Sequence, residues 1–121
     1  MAVIEPTLDD AAVMEFVATG FVLLEGVIDD AFNAKCDKMA GGNIDAFIGD
    51  DEFTKAVLLH PKIAGVARSL LGEDFLVPAG GHHHLYEAPH LGQTWHSDGL
   101  SGLGYDVTEL QCYYYPQAVE I

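Results

Sequence analysis

Positive charge is scarce in this sequence. One arginine, Arg68, and four lysines, all before position 70, face 19 acidic residues, for a net charge of −14 with neutral histidines. A surface of that sign repels phosphate backbones and anionic lipid heads, which argues against nucleic acid and membrane surfaces as partners. It also leaves little with which to grip an anionic ligand. Cysteine is scarcer still: Cys36 and Cys112 lie far apart and form no CxxC pair. Two reduced thiols in a cytosolic protein are expected from that, not a disulfide framework. No apolar run approaches the roughly 20 residues of a membrane span. The acidic start MAVIEPTLDD lacks the basic region of a secretory signal. A soluble, cytoplasmic protein is the expectation.

What is present is material for a core. Half of the 121 residues are hydrophobic and six are phenylalanine, enough for one small domain or a piece of a larger one. Thr7 and Asp10 form a near capping box for a helix over Leu8 to Ala18, with Val13, Phe16 and Val17 apolar and Gly20 as its stop. GFVLLEG reads as a short strand, Phe21 to Leu24. A second helix starts at Asp29 or Asp30 and runs through Phe32, Cys36 and Met39 to the Gly41-Gly42 pair. A third starts at Asp50 or Asp51 with Phe53, Val57 and Leu58 on one side. Pro61 suits the first turn of a fourth, closed by Gly72. Beyond it, FLVPAG, HHHLYE, QTWHSD and ELQCYYYP read as strands between Gly- and Pro-bearing loops. The expectation is an α+β arrangement, helical over 1–72 and strand-rich over 73–121, with helices buttressing a sheet.

The chemistry-bearing stretch is QTWHSDG, Gln93 to Gly99. On extended backbone, residues i and i+2 point the same way, so the imidazole of His96 and the carboxylate of Asp98 can converge on one ion. A ferrous ion that activates dioxygen needs such ligands on one face and open positions on the other, a set met by two histidines and one carboxylate. H-x-D alone recurs by chance, and a hydrogen-bonded His–Asp pair on a loop is the plain alternative. The context adds to it: GFVLLEGVIDD, HPKIAGVARSLLGEDF, WHSDG and LQCYYYPQ follow one another in this order. In that order the chain resembles the amino-terminal portion of phytanoyl-CoA dioxygenase-like proteins, from about Asp10 to Glu120.

The resemblance implies an iron(II)- and 2-oxoglutarate-dependent hydroxylase. Its fold would be helices packed on a partial double-stranded β-helix, or jelly roll, cut off before the distal strands. His96 and Asp98 would be two iron ligands. His83 and Tyr113 would touch the 2-oxoglutarate, ordinary strand packing being the alternative for both. The substrates would be O₂ and an unidentified small organic molecule. Asp98 fills the position that related halogenating enzymes leave to chloride, which favours hydroxylation. Relatives complete the site with a distal histidine and an arginine for the 2-oxoglutarate carboxylate, and neither residue type follows Asp98 here. The chain is therefore expected to be part of a longer oxygenase and to turn over little by itself.

Two other readings stand beside it. His82 and His84 share a strand face with Glu87 close behind, as in a cupin-like metal site, although the glutamate comes early and the preceding glycine of that pattern is missing. Zinc held by His82, His84 and His90 or His96 is a variant of the same idea. The other reading is a truncated, non-enzymatic module that self-associates through open strand edges beside Tyr113, Tyr114 and Tyr115. His60, before Pro61, reads as a surface or capping histidine and not a ligand. Asp50 and Asp51 lack the alternating oxygens of a calcium loop and read as a cap too.

Overall fold

Asp9 and Asp29 open the first two helices through the same contact. In each, the aspartate side chain accepts the backbone N–H three residues on, from Ala12 at 2.8 Å and from Phe32 at 2.9 Å. This satisfies a donor that the first helical turn cannot pair internally. The computed structural model describes residues 3–40, 42, 44–77, 81–86, 89–92, 94 and 107–118. Helix α1 spans Asp10–Thr19 and α2 spans Asp30–Met39. Gly20 closes α1 in the left-handed region at φ 83°, its N–H donating to the Phe16 carbonyl at 2.7 Å, a conformation that glycine enters without a Cβ penalty.

Two short turns and a longer helix come next. Helix α3 is Ile44–Ile48 and α4 is Asp51–Phe53. The α4 turn widens into a π turn over Thr54–Leu58, where the Leu59 N–H reaches back five residues to the Thr54 carbonyl at 2.8 Å. Helix α5, Pro61–Leu71, begins with Pro61 where no N–H is required. The His60 Nδ1 accepts the Lys62 N–H at 3.3 Å, so His60 is a cap as its position before Pro61 suggests.

The core lies among α2, α3, α4 and the π turn. Cys36, Ile44, Phe47, Phe53 and Val57 are buried together, with Phe32, Ile48, Ile63 and Tyr114 packed around them. Phe32, Phe47 and Phe53 hold one another at centroid distances of 5.9 to 6.3 Å in tilted and edge-on arrangements, the geometry that ring quadrupoles favour. Each buried ring removes apolar surface worth roughly 1.5–3 kcal/mol from water. Lys35 lies across the rim, 4.8 Å above the Phe47 ring and 2.5 Å from the Glu52 carboxylate. Both side chains are half exposed, so this pair adds little.

The amino-terminal segment is fastened to α5 through small residues. The Ser69 hydroxyl donates to the Gly65 carbonyl at 2.8 Å and accepts the N–H groups of Thr7 and Leu8, each at 3.0 Å. Gly65 is buried because residues 5 to 7 lie directly on it. Thr7 is thus drawn onto α5, and Asp9, not Thr7, becomes the cap of α1.

The expected jelly roll is absent: no β-strand occurs among the described residues, which are helical or irregular. Residues 21–24, 75–77, 81–86 and 107–115 adopt no ladder, and no backbone hydrogen bonds join them to one another. Alternating side chains suit a pleated surface, but a strand exists only when a neighbouring backbone takes up its N–H and C=O groups. Here the later segments are tied to helices by side chains instead. The His83 N–H donates to Asp45 at 2.9 Å, the Tyr114 hydroxyl to Asn33 at 2.5 Å, and the Gln117 amide to Asp37.

Candidate functional site

Two described segments carry candidate residues, and each has an anchor on the helices. In the first, Asp45 in the opening turn of α3 takes the backbone N–H of His83. Gly81 lies against Ile48 so closely that a Cβ there would stand 3.1 Å from the Ile48 side chain. Period-two alternation then sends the rings of His82, His84 and Tyr86 to the face opposite His83. They form a continuous ladder, with centroids 4.5 Å apart for His82 and His84 and 5.8 Å for His84 and Tyr86, and His90 stands 4.3 Å from Tyr86. His83 is half-buried and stands apart from this ladder.

Two ring nitrogens of the ladder are engaged. The Tyr86 hydroxyl lies 3.1 Å from His84 Nδ1, and the Gly92 N–H donates to His90 Nδ1 at 3.0 Å. A neutral imidazole whose Nδ1 accepts a hydrogen bond carries its proton on Nε2 and has no lone pair left there for a metal. That holds His90 out of a metal set in this arrangement. Among the described residues no three His, Cys, Asp or Glu side chains converge as metal donors. Glu87, the carboxylate of the cupin-like reading, lies outside the described residues.

The second anchor is Tyr114. Its ring meets Phe53 edge-on at 5.8 Å, and its hydroxyl donates to Asn33 Oδ1 at 2.5 Å and lies beside the Cys36 thiol. Burial first, and then the contact with Cys36, pushes the phenol well above its ordinary range. Burial likewise raises the Cys36 thiol above its ordinary value. Both groups are therefore neutral and structural at neutral pH. Tyr113 and Tyr115, one residue to either side, are each 66 % exposed. The Tyr113 hydroxyl donates to the side chain of Gln111.

Of the four residues expected at the site, His96 and Asp98 lie outside the described residues, while His83 and Tyr113 are described but joined by no hydrogen bond or ring contact. The cluster of Tyr114, Asn33 and Cys36 was not anticipated. Its only sequence signal is the three-tyrosine run, which guarantees that one ring differs in facing from its neighbours. The lone arginine is committed as well: Arg68 pairs with Glu73 at 2.6 Å. An open cleft of about 250 Å³ beside the π turn is lined in part by Asp29, Lys55 and His60. Asp29 caps α2, Lys55 pairs with Asp51 at 3.2 Å and His60 caps α5, so these polar groups serve local structure. No protein-family model, curated protein or solved structure matches the chain.

Proposed function

We propose that the chain carries part of an iron(II)- and 2-oxoglutarate-dependent hydroxylase site, with His96 and Asp98 as iron ligands. The observation behind this reading is the stretch WHSDG in its sequence context. An imidazole and a carboxylate two residues apart suit two adjacent positions of a facial metal set, and iron so held supplies the activation of dioxygen. The donor set fits in part. A third ligand and a cation for the 2-oxoglutarate carboxylate have no counterpart after Asp98, and Arg68 is occupied by Glu73. No chemical step is assigned to this chain alone, and hydroxylation of a small organic substrate is the property of a completed site. Tyr113, exposed on the face away from the helical core, is available to contact 2-oxoglutarate, and His83 is the second candidate.

Metal titration of the chain tests the ligand assignment directly. Anaerobic Fe(II), or Co(II) read by its visible absorbance, should bind at one site per chain and weakly, because two protein ligands leave the coordination to water. His96→Ala and Asp98→Ala should each remove that binding, while His82→Ala leaves it. Binding that survives His96→Ala and is lost in His82→Ala would transfer the metal to the histidine ladder and end this reading. Succinate production from 2-oxoglutarate by the chain alone is expected to be negligible.

A further inference from the structure

Helix α1 is apolar on more than one side, yet none of its residues is buried. Val13 and Phe16 are half-covered by the rest of the molecule, whereas Met14 and Val17, one turn apart on the adjoining face, are each 67 % exposed. Beyond the Gly20 cap, Phe21 and Leu23 are 65 % and 72 % exposed as well. A helix with apolar residues all round is normally covered all round, and contiguous exposed apolar side chains of this kind mark contact surfaces. The charges around the strip decide what covers it. Asp10 and Glu15 lie on α1 itself, Asp9 caps it, and Glu5 and Glu25 flank it in sequence, while no lysine or arginine occurs before Lys35. A second copy would bring the carboxylates of Asp10 and Glu15 on α1 against their own counterparts, which is unfavourable.

We propose that the outer face of α1, with Phe21 and Leu23, docks a cationic amphipathic helix whose apolar side meets Met14 and Val17 and whose lysines or arginines meet the acidic rim. The mode is the laying of an amphipathic helix onto an apolar surface, with charge setting orientation and partner choice. It is independent of the iron ligands and holds whether or not the chain has a hydroxylase role.

The probe is a synthetic helical peptide of leucine and lysine with the two residue types on opposite faces, its binding to the full chain read by fluorescence anisotropy. A scrambled peptide of equal composition and a leucine–glutamate counterpart serve as controls. The segregated cationic peptide should bind at one per chain, and the controls at least tenfold more weakly. Met14→Gln combined with Val17→Gln should weaken binding at least tenfold. These positions lie outside the core, and glutamine is a sound helix former, so α1 should persist. Leu76→Gln, at another exposed apolar residue, should leave binding unchanged. On the unaltered chain the peptide should also slow amide exchange within α1. Three results would each overturn the proposal: absence of binding, equal binding of the scrambled peptide or of the Met14/Val17 variant, which is adsorption by net charge alone, and a dimer by light scattering that the double variant dissolves.

Discussion

Replacing Gly65 by alanine asks whether the contact between the amino-terminal segment and α5 outweighs helix propensity. In an exposed helical position the change should stabilise by up to about 1 kcal/mol, since alanine loses less backbone entropy than glycine. At this position an added Cβ would stand 2.3 Å from Thr7 Cγ2, 2.8 Å from the Glu5 carbonyl oxygen and 2.9 Å from Thr7 Oγ1. Two of the three belong to one side chain, but the third is backbone, so turning Thr7 aside is not sufficient. The segment must lift, and its two N–H bonds to Ser69 go with it. Overpacking of this kind costs about 1–3 kcal/mol, more than the propensity gain returns. The expected outcome of Gly65→Ala is a net loss of about 1 kcal/mol in urea unfolding, with faster amide exchange at Thr7 and Leu8. Thr7→Ala in the same chain removes two of the three clashing atoms, so the double variant should be more stable than the sum of the single effects predicts. A stabilised Gly65→Ala variant with Thr7 and Leu8 still protected would show that the segment is not seated on Gly65, and would refute the reasoning.

Three further outcomes are expected. Tyr114→Phe leaves Asn33 without its donor and should cost about 1–2 kcal/mol, whereas Tyr113→Phe, on the exposed side, should change stability by less than about 0.5 kcal/mol; equal effects in denaturant titration would contradict the facing assigned here. Phe53→Ala empties the centre of the aromatic cluster and should cost about 3–5 kcal/mol, so a thermal melt little changed from the parent would count against that core. The Cys36 thiol and the Tyr114 phenol both have folded-state pKa values above their ordinary 9.0 and 10.0, so the folded chain holds their protons longer than the unfolded one. Their stabilising effect is complete below about pH 9 and falls as pH rises from there toward the folded values; urea midpoints between pH 7 and pH 10.5 should fall more steeply for the parent than for Cys36→Ala/Tyr114→Phe.

Where a single residue carries a strong local preference, the sequence was readable. Asp29 at the start of α2, Pro61 at the start of α5 and Gly20 and Gly72 after helix ends act through one hydrogen bond or one backbone angle, and the structure uses each of them. Thr7 had a local preference too, for capping α1, but Gly65 and Ser69 sixty residues away offer its backbone a competing partner. Helix α3 is five residues between glycine-containing stretches, too short for any period to show. The strand expectation went wrong for a different reason. Alternation holds around Tyr114, whose neighbours Tyr113 and Tyr115 are exposed, but not at Leu85 and Cys112, which are exposed too, and it says nothing of whether another backbone lies alongside. The proposed iron ligands are an H-x-D in sequence, and both residues lie outside the described residues.

In an extended segment one fixed residue decides the facing of its neighbours, because a slip of one position reverses every side chain. Asn33 is the fixing partner in 107–118. By taking the Tyr114 hydroxyl and seating the ring against Phe53, it turns Tyr113 and Tyr115 away from the helices. Asp45 does the same for 81–86 through the His83 backbone, and so collects His82, His84 and Tyr86 into one ladder. Both candidate cosubstrate residues therefore depend on anchors in the helical region. Asn33→Ala should alter the surroundings of Tyr113 although the two side chains are not in contact, and Asp45→Ala should loosen the histidine ladder while leaving Tyr113 as it was. The helices do more than buttress the carboxyl-terminal segments: through Asn33 and Asp45 they set which aromatic and imidazole side chains turn away from the core.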